Sequence, residues 1–191
     1  MLQEVIDLQT SAVQKLVHCV SNKDEMVFKS PTGSGKTYMM ADLMNRVIGD
    51  NENVIFLVSS LSKGDLAQQN YEKFCDYAEQ GTFPNIKPYL ISSETSGENR
   101  LHIPTDYNVY VLPRDLYKDK SKLKQGALLD FLYAVTNQKM GLGKDIYVIK
   151  DECHIATSNL DTLKNKFFKK ILNFSATPSL KRGQTPDVEI T

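Results

Sequence analysis

Residues 30–37 combine glycine, lysine and threonine in an order that suits the binding of a phosphate group. They follow a short apolar run at 26–28 and precede apolar residues of helical spacing at 39–47. Because glycine has no Cβ, neighbouring backbone N–H groups can converge on an anion, and the N-terminus of the following helix carries partial positive charge. A strand, a glycine-bearing turn and a helix in this order favour a phosphate-binding loop.

The positions of this loop predict separate roles. The Lys36 ammonium can reach the β- and γ-phosphates of ATP, and the Thr37 hydroxyl can hold Mg²⁺. Ser30 stands where the general pattern has glycine, and the alternative interpretation is a surface turn that matches the pattern by chance. The other predicted nucleotide-binding positions are Thr32, Gly33, Ser34 and Gly35.

A second polar group, Asp-Glu-Cys-His at 151–154, follows an apolar run at 146–149. Functional groups gather at the carboxyl ends of strands in an open parallel sheet, so adjacent strands would bring this group within a nucleotide's length of the loop. Asp151 offers the carboxylate oxygen that Mg²⁺ prefers, and Glu152 can be the general base for the water that attacks the γ-phosphate. An Asp-Glu pair alone is more often a solvated turn, and the phosphate loop is what favours catalysis.

Two hydroxyl residues, Ser175 and Thr177, lie just past another predicted strand and before Pro178. They can hydrogen-bond to the acidic site and report its state, whereas the alternative is an ordinary turn, since Ser and Thr are common turn residues. We interpret His154 as a polar link between the acidic pair and this turn. The three side chains are therefore predicted to couple the two parts of the site.

The elements that must position these groups alternate along the chain. Helices are predicted over residues 1–20, 36–48, 64–79, 123–140 and 160–169, and strands over 26–29, 54–58, 88–92, 107–112, 145–150 and 171–174. This alternation predicts an α/β fold with three αβα layers and a mostly parallel central sheet, because parallel strands need crossover connections that cover both faces.

Composition limits the classes of protein that fit. The 191 residues carry 23 basic and 23 acidic side chains, so the net charge is zero, unlike a compact protein held to nucleic acid mainly by a basic surface. Three separated cysteines without C-x-x-C spacing indicate a reducing setting and no cysteine zinc site. No apolar run approaches membrane-spanning length and no signal peptide is apparent, so we expect a cytoplasmic location without membrane contact.

Taken in order, residues 30–37, 151–154 and 175–177 resemble motifs I, II and III of superfamily 2 helicases and translocases of the DEAD/DEAH-like type. The Asp-Glu-Cys-His form, Phe-Ser-Ala-Thr-Pro at 174–178 and the residues at 185–191 are similar to the motor (Res) subunit of type III restriction enzymes. The resemblance covers essentially the whole chain. It implies a RecA-like P-loop NTPase lobe over residues 1–179 and a connector towards a second lobe over 180–191.

The resemblance implies roles for residues outside the three motifs. Gln9 matches a glutamine that contacts adenine. Ser59 and Ser60, with Leu61, match a segment that touches the nucleic-acid backbone. Arg114 follows a later strand that also lines the nucleic-acid path, although a solvated loop arginine is the alternative, and Pro113 replaces the Thr or Asn usual there.

The function implied is that of an ATP- and Mg²⁺-dependent motor acting on nucleic acid, in the first place duplex DNA. A methyltransferase or specificity subunit is the implied partner. In this superfamily the second lobe supplies an arginine worth roughly 10³–10⁵ in rate, and nothing after Thr177 resembles motifs IV to VI. We therefore expect these 191 residues alone to bind nucleotide weakly and to hydrolyse it very slowly.

Two alternatives stay open at this point. An RNA helicase lobe of the same superfamily would carry the same three motifs, because both kinds of motor grip the backbone. A nucleotide-gated binding module without motor activity would need the loop but not the complete catalytic set. A small-molecule kinase is less compatible, since its site does not require Asp-Glu-Cys-His.

Overall fold

The computed structural model describes residues 3–60, 65–91, 102–114, 127–152, 158–178 and 180–190. Its strands are β1 Glu25–Lys29, β2 Val54–Ser60, β3 Pro88–Leu90, β4 Val109–Pro113, β5 Asp145–Asp151, β6 Phe168–Ser175 and β7 Val188–Glu189. They form one sheet of order β3-β4-β2-β5-β6-β1-β7, and every pair of neighbours in it is parallel. The predicted α/β fold around a parallel sheet is confirmed.

Helices cover both faces of this sheet. Those described are α1 Gln3–Asn22, α2 Lys36–Asp50, α3 Leu66–Glu79, α4 Ala127–Thr136, α5 Ser158–Asp161 and α6 Lys164–Phe167. The first three pack on one face and the last three on the other. Within the described ranges, none of the helices is long and apolar enough to cross a membrane.

Strand β2 shows why its sequence is apolar at each of residues 54–58 rather than at alternate ones. Val54, Phe56 and Val58 join the core under α1–α3, whereas Ile55 and Leu57 join the core on the opposite face. Successive side chains of a strand point to opposite faces, so a central strand with helices on both sides buries all of them. Full burial of each such side chain stabilises the fold by roughly 1.5–3 kcal/mol.

The helix predicted over 160–169 is wrong at its last two residues. Helix α6 ends at Phe167, and Phe168 begins β6, which is longer than the predicted strand at 171–174. Residues of β6 pair with β5 on one side and with β1 on the other, which satisfies their backbone groups. The buried Lys170 donates from Nζ to the carbonyl oxygens of Val20 and Lys23 at the end of α1. These contacts between distant segments override the local helical spacing.

The helix predicted over 123–140 is also shorter at its C-terminus, and its residues 123–126 lie outside the described ranges. Helix α4 ends at Thr136, and the next residue, Asn137, accepts hydrogen bonds at Oδ1 from the N–H groups of Lys139 and Met140. An asparagine side chain that binds the backbone ahead of it forms a turn and ends the helix. The remaining predicted elements are present, with described ends within two residues of the predictions.

The segment at 180–190 contributes a strand that sequence analysis did not predict. Strand β7 pairs with β1 at Phe28 and Lys29. Just before β7, Asp187 accepts a hydrogen bond at Oδ2 from the Val27 N–H at 2.8 Å and binds the Lys23 ammonium through Oδ1. Burial acts to raise the pKa of Asp187, but these donors outweigh it, so the pKa lies below its usual value. The ion pair attaches the segment to the edge of the sheet.

Candidate active site

The phosphate loop lies between the end of β1 and the start of α2. Gly33 and Gly35 have φ values of +82° and +85°, which L-residues with a Cβ rarely adopt. The Ser34 N–H donates to the Pro31 carbonyl at 3.1 Å and closes the turn. Helix α2 begins without a side-chain cap, so no capping side chain competes for the free N–H groups of its first turn. The loop therefore has the conformation of an anion-binding site.

Gln9 of α1 supports this loop from behind. Its side chain is 5% exposed, and its Nε2 donates to the Ser34 carbonyl at 2.9 Å. A Cβ on Gly35 would lie 2.2 Å from Gln9 Nε2, so a side chain there would displace the Gln9 amide in addition to straining the positive φ. The contact between Gln9 and adenine stays a prediction, whereas its contact with the loop is a feature of the structure.

Alanine substitutions at the two loop glycines should therefore differ in effect. Both impose a positive φ on a residue with a Cβ, at a cost of about 1–2 kcal/mol of unfolding free energy. Gly35→Ala should lose about 1 kcal/mol more, because its Cβ displaces Gln9 and breaks the bond to Ser34. Space is open around a Cβ at Gly33, which makes Gly33→Ala the matched control. Denaturant unfolding would measure the difference, and equal losses would contradict the role of Gln9.

Lys36 connects the loop to the acidic pair. Its Nζ lies 2.8 Å from Asp151 Oδ1 and also binds Glu152 Oε1. The sequence predicts adjacent strands for the two groups, and this is wrong. Strand β6 lies between β1 and β5. Two strand spacings amount to about 10 Å, and the long lysine side chain spans much of that gap.

The electrostatics of this cluster are set by two carboxylates around one ammonium. Burial alone would lower the pKa of Lys36, but Asp151 and Glu152 together outweigh it, so the pKa lies above its usual value. Lys36 therefore stays positively charged at neutral pH. Asp151 Oδ1 is buried and, within the described part of the chain, has this ion pair but no well-aligned hydrogen bond.

Glu152 has a backbone conformation that is uncommon for a residue with a side chain. Its φ is +60°, in the left-handed region, and its N–H donates to the Phe174 carbonyl of β6 at 2.8 Å. The hydrogen bond fixes the turn after β5, so the side chain stays on the same edge of the sheet as the loop. Such strain of about 1–3 kcal/mol persists where surrounding structure holds it, commonly at functional sites.

The side chain that sequence analysis missed is Asn70 of α3. Its Oδ1 accepts from the Thr37 hydroxyl at 3.2 Å, and its Nδ2 donates to Asp151 Oδ2 and to Ser60 Oγ, both at 3.1 Å. A signal was present in the sequence, because Asn70 lies four residues from both Leu66 and Phe74 and so shares a helix face with apolar residues. A polar residue at such a position needs partners, and here they are the predicted metal ligands.

The donor set of this site fits Mg²⁺. In the described part of the chain, no cluster of three or more His, Cys, Asp or Glu side chains could hold a metal ion. The donors are instead the Thr37 hydroxyl and the Asp151 carboxylate, which share Asn70 as a partner. Mg²⁺ is commonly bound through one or two carboxylates together with substrate phosphates and water. These two oxygen donors beside a phosphate loop match that pattern.

The turn after β6 lies between the loop and the acidic pair. Ser175 is fully buried; its Oγ accepts from the Thr177 N–H at 3.0 Å, and its carbonyl accepts from the Ser30 N–H at 3.1 Å. The predicted coupling turn is thus joined to the phosphate loop through the backbone. His154, the third predicted coupling residue, lies outside the described ranges.

The predicted nucleic-acid residues lie at the same edge of the sheet, on β2 and after β4. Ser60 is in register with Pro113, so Arg114 follows directly beside it. Ser59 and Ser60 are 3% and 1% exposed, and the Ser60 hydroxyl is occupied by Asn70. A contact between nucleic acid and these serines stays a prediction, and their burial favours the backbone as the contacting group. Leu61 lies outside the described ranges.

Part of this site lines a pocket of about 370 Å³. Residues of the phosphate loop and Glu152 form one part of its wall, and Ala176 closes it beside the coupling turn. The other side comes from Tyr38 of α2 and from Lys73 and Tyr77 of α3. Sequence analysis did not predict these three, because nothing in the sequence places α3 beside the start of α2.

The fold and the site together define a RecA-like P-loop domain of the kind found in superfamily 2 helicase cores. The Sulfolobus solfataricus SWI2/SNF2 ATPase core in complex with double-stranded DNA has a TM-score of 0.60 at 16% identity, over 89% of this chain and 31% of that one. The Type ISP restriction-modification enzyme LlaGI, as a nuclease-deletion mutant with a DNA substrate mimic, has a TM-score of 0.57 at 13% identity. The match covers 95% of this chain and 19% of that one. S. cerevisiae Dbp5, in a complex that contains ADP, has a TM-score of 0.56 at 18% identity. The match covers 94% of this chain and 47% of that one.

The chain belongs to the family described as type III restriction enzyme, res subunit, which matches residues 3–180. The predicted resemblance to superfamily 2 and to the Res subunit is confirmed. No curated protein sequence matches the chain significantly. The chain spans less than half the length of each of the three similar structures.

Proposed function

We propose that this chain is the first RecA-like lobe of an ATP-dependent DNA helicase or translocase, the motor part of a type III-like restriction enzyme. The observation that carries the proposal is the contact of Lys36 with both Asp151 and Glu152 beside a glycine loop in anion-binding conformation. The proposed phosphate-binding cation is thus in contact with both the proposed metal-binding carboxylate and the candidate base. Membership of the Res family supports the choice of motor.

Each of these residues has one task in ATP hydrolysis. The loop from Thr32 to Gly35 binds the phosphates through its N–H groups, and the Lys36 ammonium neutralises the β- and γ-phosphates. Thr37 and Asp151 would hold Mg²⁺, which would supply further neutralisation of phosphate charge. Glu152 accepts the proton of the attacking water, and for this it must leave its contact with Lys36.

The binding of nucleotide offers Lys36 a new partner. In the structure its charge is balanced by the two carboxylates, whereas a triphosphate would draw the ammonium towards the loop. The Glu152 carboxylate would then lose its contact with the Lys36 ammonium. The ion pair between Lys36 and Glu152 would in this way keep the base inactive until ATP is bound.

Duplex DNA is the proposed nucleic acid. Its support is the Res family and the likeness to a SWI2/SNF2 core whose structure contains double-stranded DNA. The balanced charge of this chain suits a path shared with a second lobe, with Arg114 and the end of β2 as contacts. We assign residues 1–179 to the lobe and 180–191, which also supply its edge strand β7, to the connection with the second lobe. We propose a methyltransferase or specificity subunit as partner.

ATP turnover by the longest natural form of the protein, alone, with duplex DNA and with RNA, tests this function. We expect duplex DNA to raise the rate several-fold and RNA to have little effect. Stimulation by RNA alone would instead assign the lobe to an RNA helicase. Binding of ATP without a response to either nucleic acid would contradict the motor and favour a nucleotide-gated binding module.

A further inference from the structure

The buried amide of Asn70 lies between the two side chains that we assign to Mg²⁺. Asn70 is 6% exposed, and its three hydrogen bonds reach the start of α2, the end of β2 and the end of β5. A buried amide held by three separate elements is costly unless each of its polar groups is paired. Here Oδ1 has one donor and both Nδ2 protons have an acceptor, so the pairing is complete.

The partners fix which way the amide points. With Nδ2 towards Asp151, it donates to a carboxylate; rotated by half a turn, Oδ1 would face Asp151 Oδ2 with no proton between them. The observed orientation therefore leaves Oδ1 for Thr37, whose hydroxyl must donate to it. A hydroxyl that donates its only proton to Asn70 keeps its oxygen lone pairs for a cation.

We propose that Asn70 is a positioning residue for the metal site: its amide orients the Thr37 hydroxyl and the Asp151 carboxylate so that both present oxygen lone pairs to Mg²⁺. The inference rests on the proposed ATP-binding function. Removal of a side chain that hydrogen-bonds to a metal ligand commonly lowers the metal affinity or the activity by about 10–100-fold. Asn70 holds two ligands at once, so its loss should affect the metal more than the nucleotide.

Ser60 extends this arrangement to the edge where nucleic acid is expected. Its hydroxyl accepts the second Nδ2 proton of Asn70, and its backbone lies at the end of β2 beside Pro113 and Arg114. A shift of Ser60 would therefore be passed to Asp151 through a single amide group. This gives the metal site a direct mechanical link to the predicted nucleic-acid contact.

Binding of a fluorescent ATP analogue to the full chain, in EDTA and across a Mg²⁺ titration, tests the role of Asn70. For Asn70→Ala we expect the metal-free dissociation constant to stay within about twofold of the natural protein, while the Mg²⁺ midpoint rises about tenfold. Asn45→Ala is the matched control, because Asn45 bonds the Asn85 N–H at 2.8 Å near the opposite end of α2 and should change neither value. A purely structural role would weaken binding equally with and without metal.

The outcomes separate this inference from the function on which it rests. An unchanged Mg²⁺ midpoint in Asn70→Ala, with metal-dependent binding intact in the natural protein, would overturn only the role of Asn70. Absence of metal-dependent binding in the natural protein would overturn both. If Asn70→Ala shows no cooperative unfolding transition, Asn70→Leu decides, since it fills nearly the same volume but removes the bonds to Thr37 and Asp151. A raised midpoint there supports the proposal, and an unchanged one contradicts it.

Discussion

Lys36→Ala is expected to abolish measurable nucleotide binding, with an affinity loss of about 100-fold or more. The substitution removes the cation that the phosphates require and leaves the Asp151 and Glu152 carboxylates facing the phosphate site without a counter-charge. Truncation of one partner in a buried, hydrogen-bonded charge cluster commonly costs about 2–5 kcal/mol, and 1.4 kcal/mol is a tenfold change. Titration with a fluorescent ATP analogue in the presence of Mg²⁺ measures the effect.

The control for Lys36 is a lysine whose ion pair lies at the opposite edge of the sheet. Lys169 pairs with Asp145 at 3.1 Å, at the start of β5, and its side chain is largely exposed. Lys169→Ala should leave nucleotide affinity unchanged, since exposed ion pairs contribute little. Binding by Lys36→Ala with near-natural affinity would contradict the assignment of the phosphate loop.

Glu152→Gln should keep nucleotide binding and lower the rate of hydrolysis by about 10²–10⁴-fold, the usual contribution of a general base. Glutamine has nearly the same shape but cannot accept the proton of the attacking water. Lys36 retains its contact with Asp151 at 2.8 Å, so the phosphate-binding cation stays in place. Single-turnover hydrolysis, measured beside analogue binding, separates the chemical step from affinity.

A second glutamate provides the comparison for this variant. Glu25 pairs with Lys164 at 2.6 Å at the start of β1, away from the pocket. Glu25→Gln should hydrolyse ATP at the natural rate. Hydrolysis by Glu152→Gln at the natural rate would remove Glu152 from the role of base and direct attention to another acceptor for the proton.

Lys36→Ala and Glu152→Gln also separate nucleotide binding from chemistry, although the two side chains contact each other before nucleotide is bound. Lys36 has both carboxylates as partners, and only Asp151 is assigned to the metal. Loss of the lysine should therefore affect binding, and loss of the Glu152 charge should affect chemistry alone. The distinction follows from the roles that the three side chains take once the phosphates are bound.

The sequence by itself determined the chemical parts of the site and the class of fold. The loop at 30–37 and the Asp151–Glu152 pair are recognisable because their chemistry depends on residue type and close spacing along the chain. The alternation of strands and helices was equally visible, since the burial of strands such as β2 on both faces leaves a continuous apolar run. Motif spacing and apolar runs of this kind can be recognised within a short stretch of sequence.

Only the tertiary structure decided how these parts meet. Strand β6 lies between the strands of the loop and of the acidic pair, and strand order does not follow from spacing along the chain. Asn70 enters the site because α3 packs beside α2, and Gln9 reaches Ser34 because α1 lies behind the loop. The partners of these amides are 10 to 81 residues away in sequence. A buried polar side chain must find its hydrogen bonds in space, so only the folded chain shows which groups it joins.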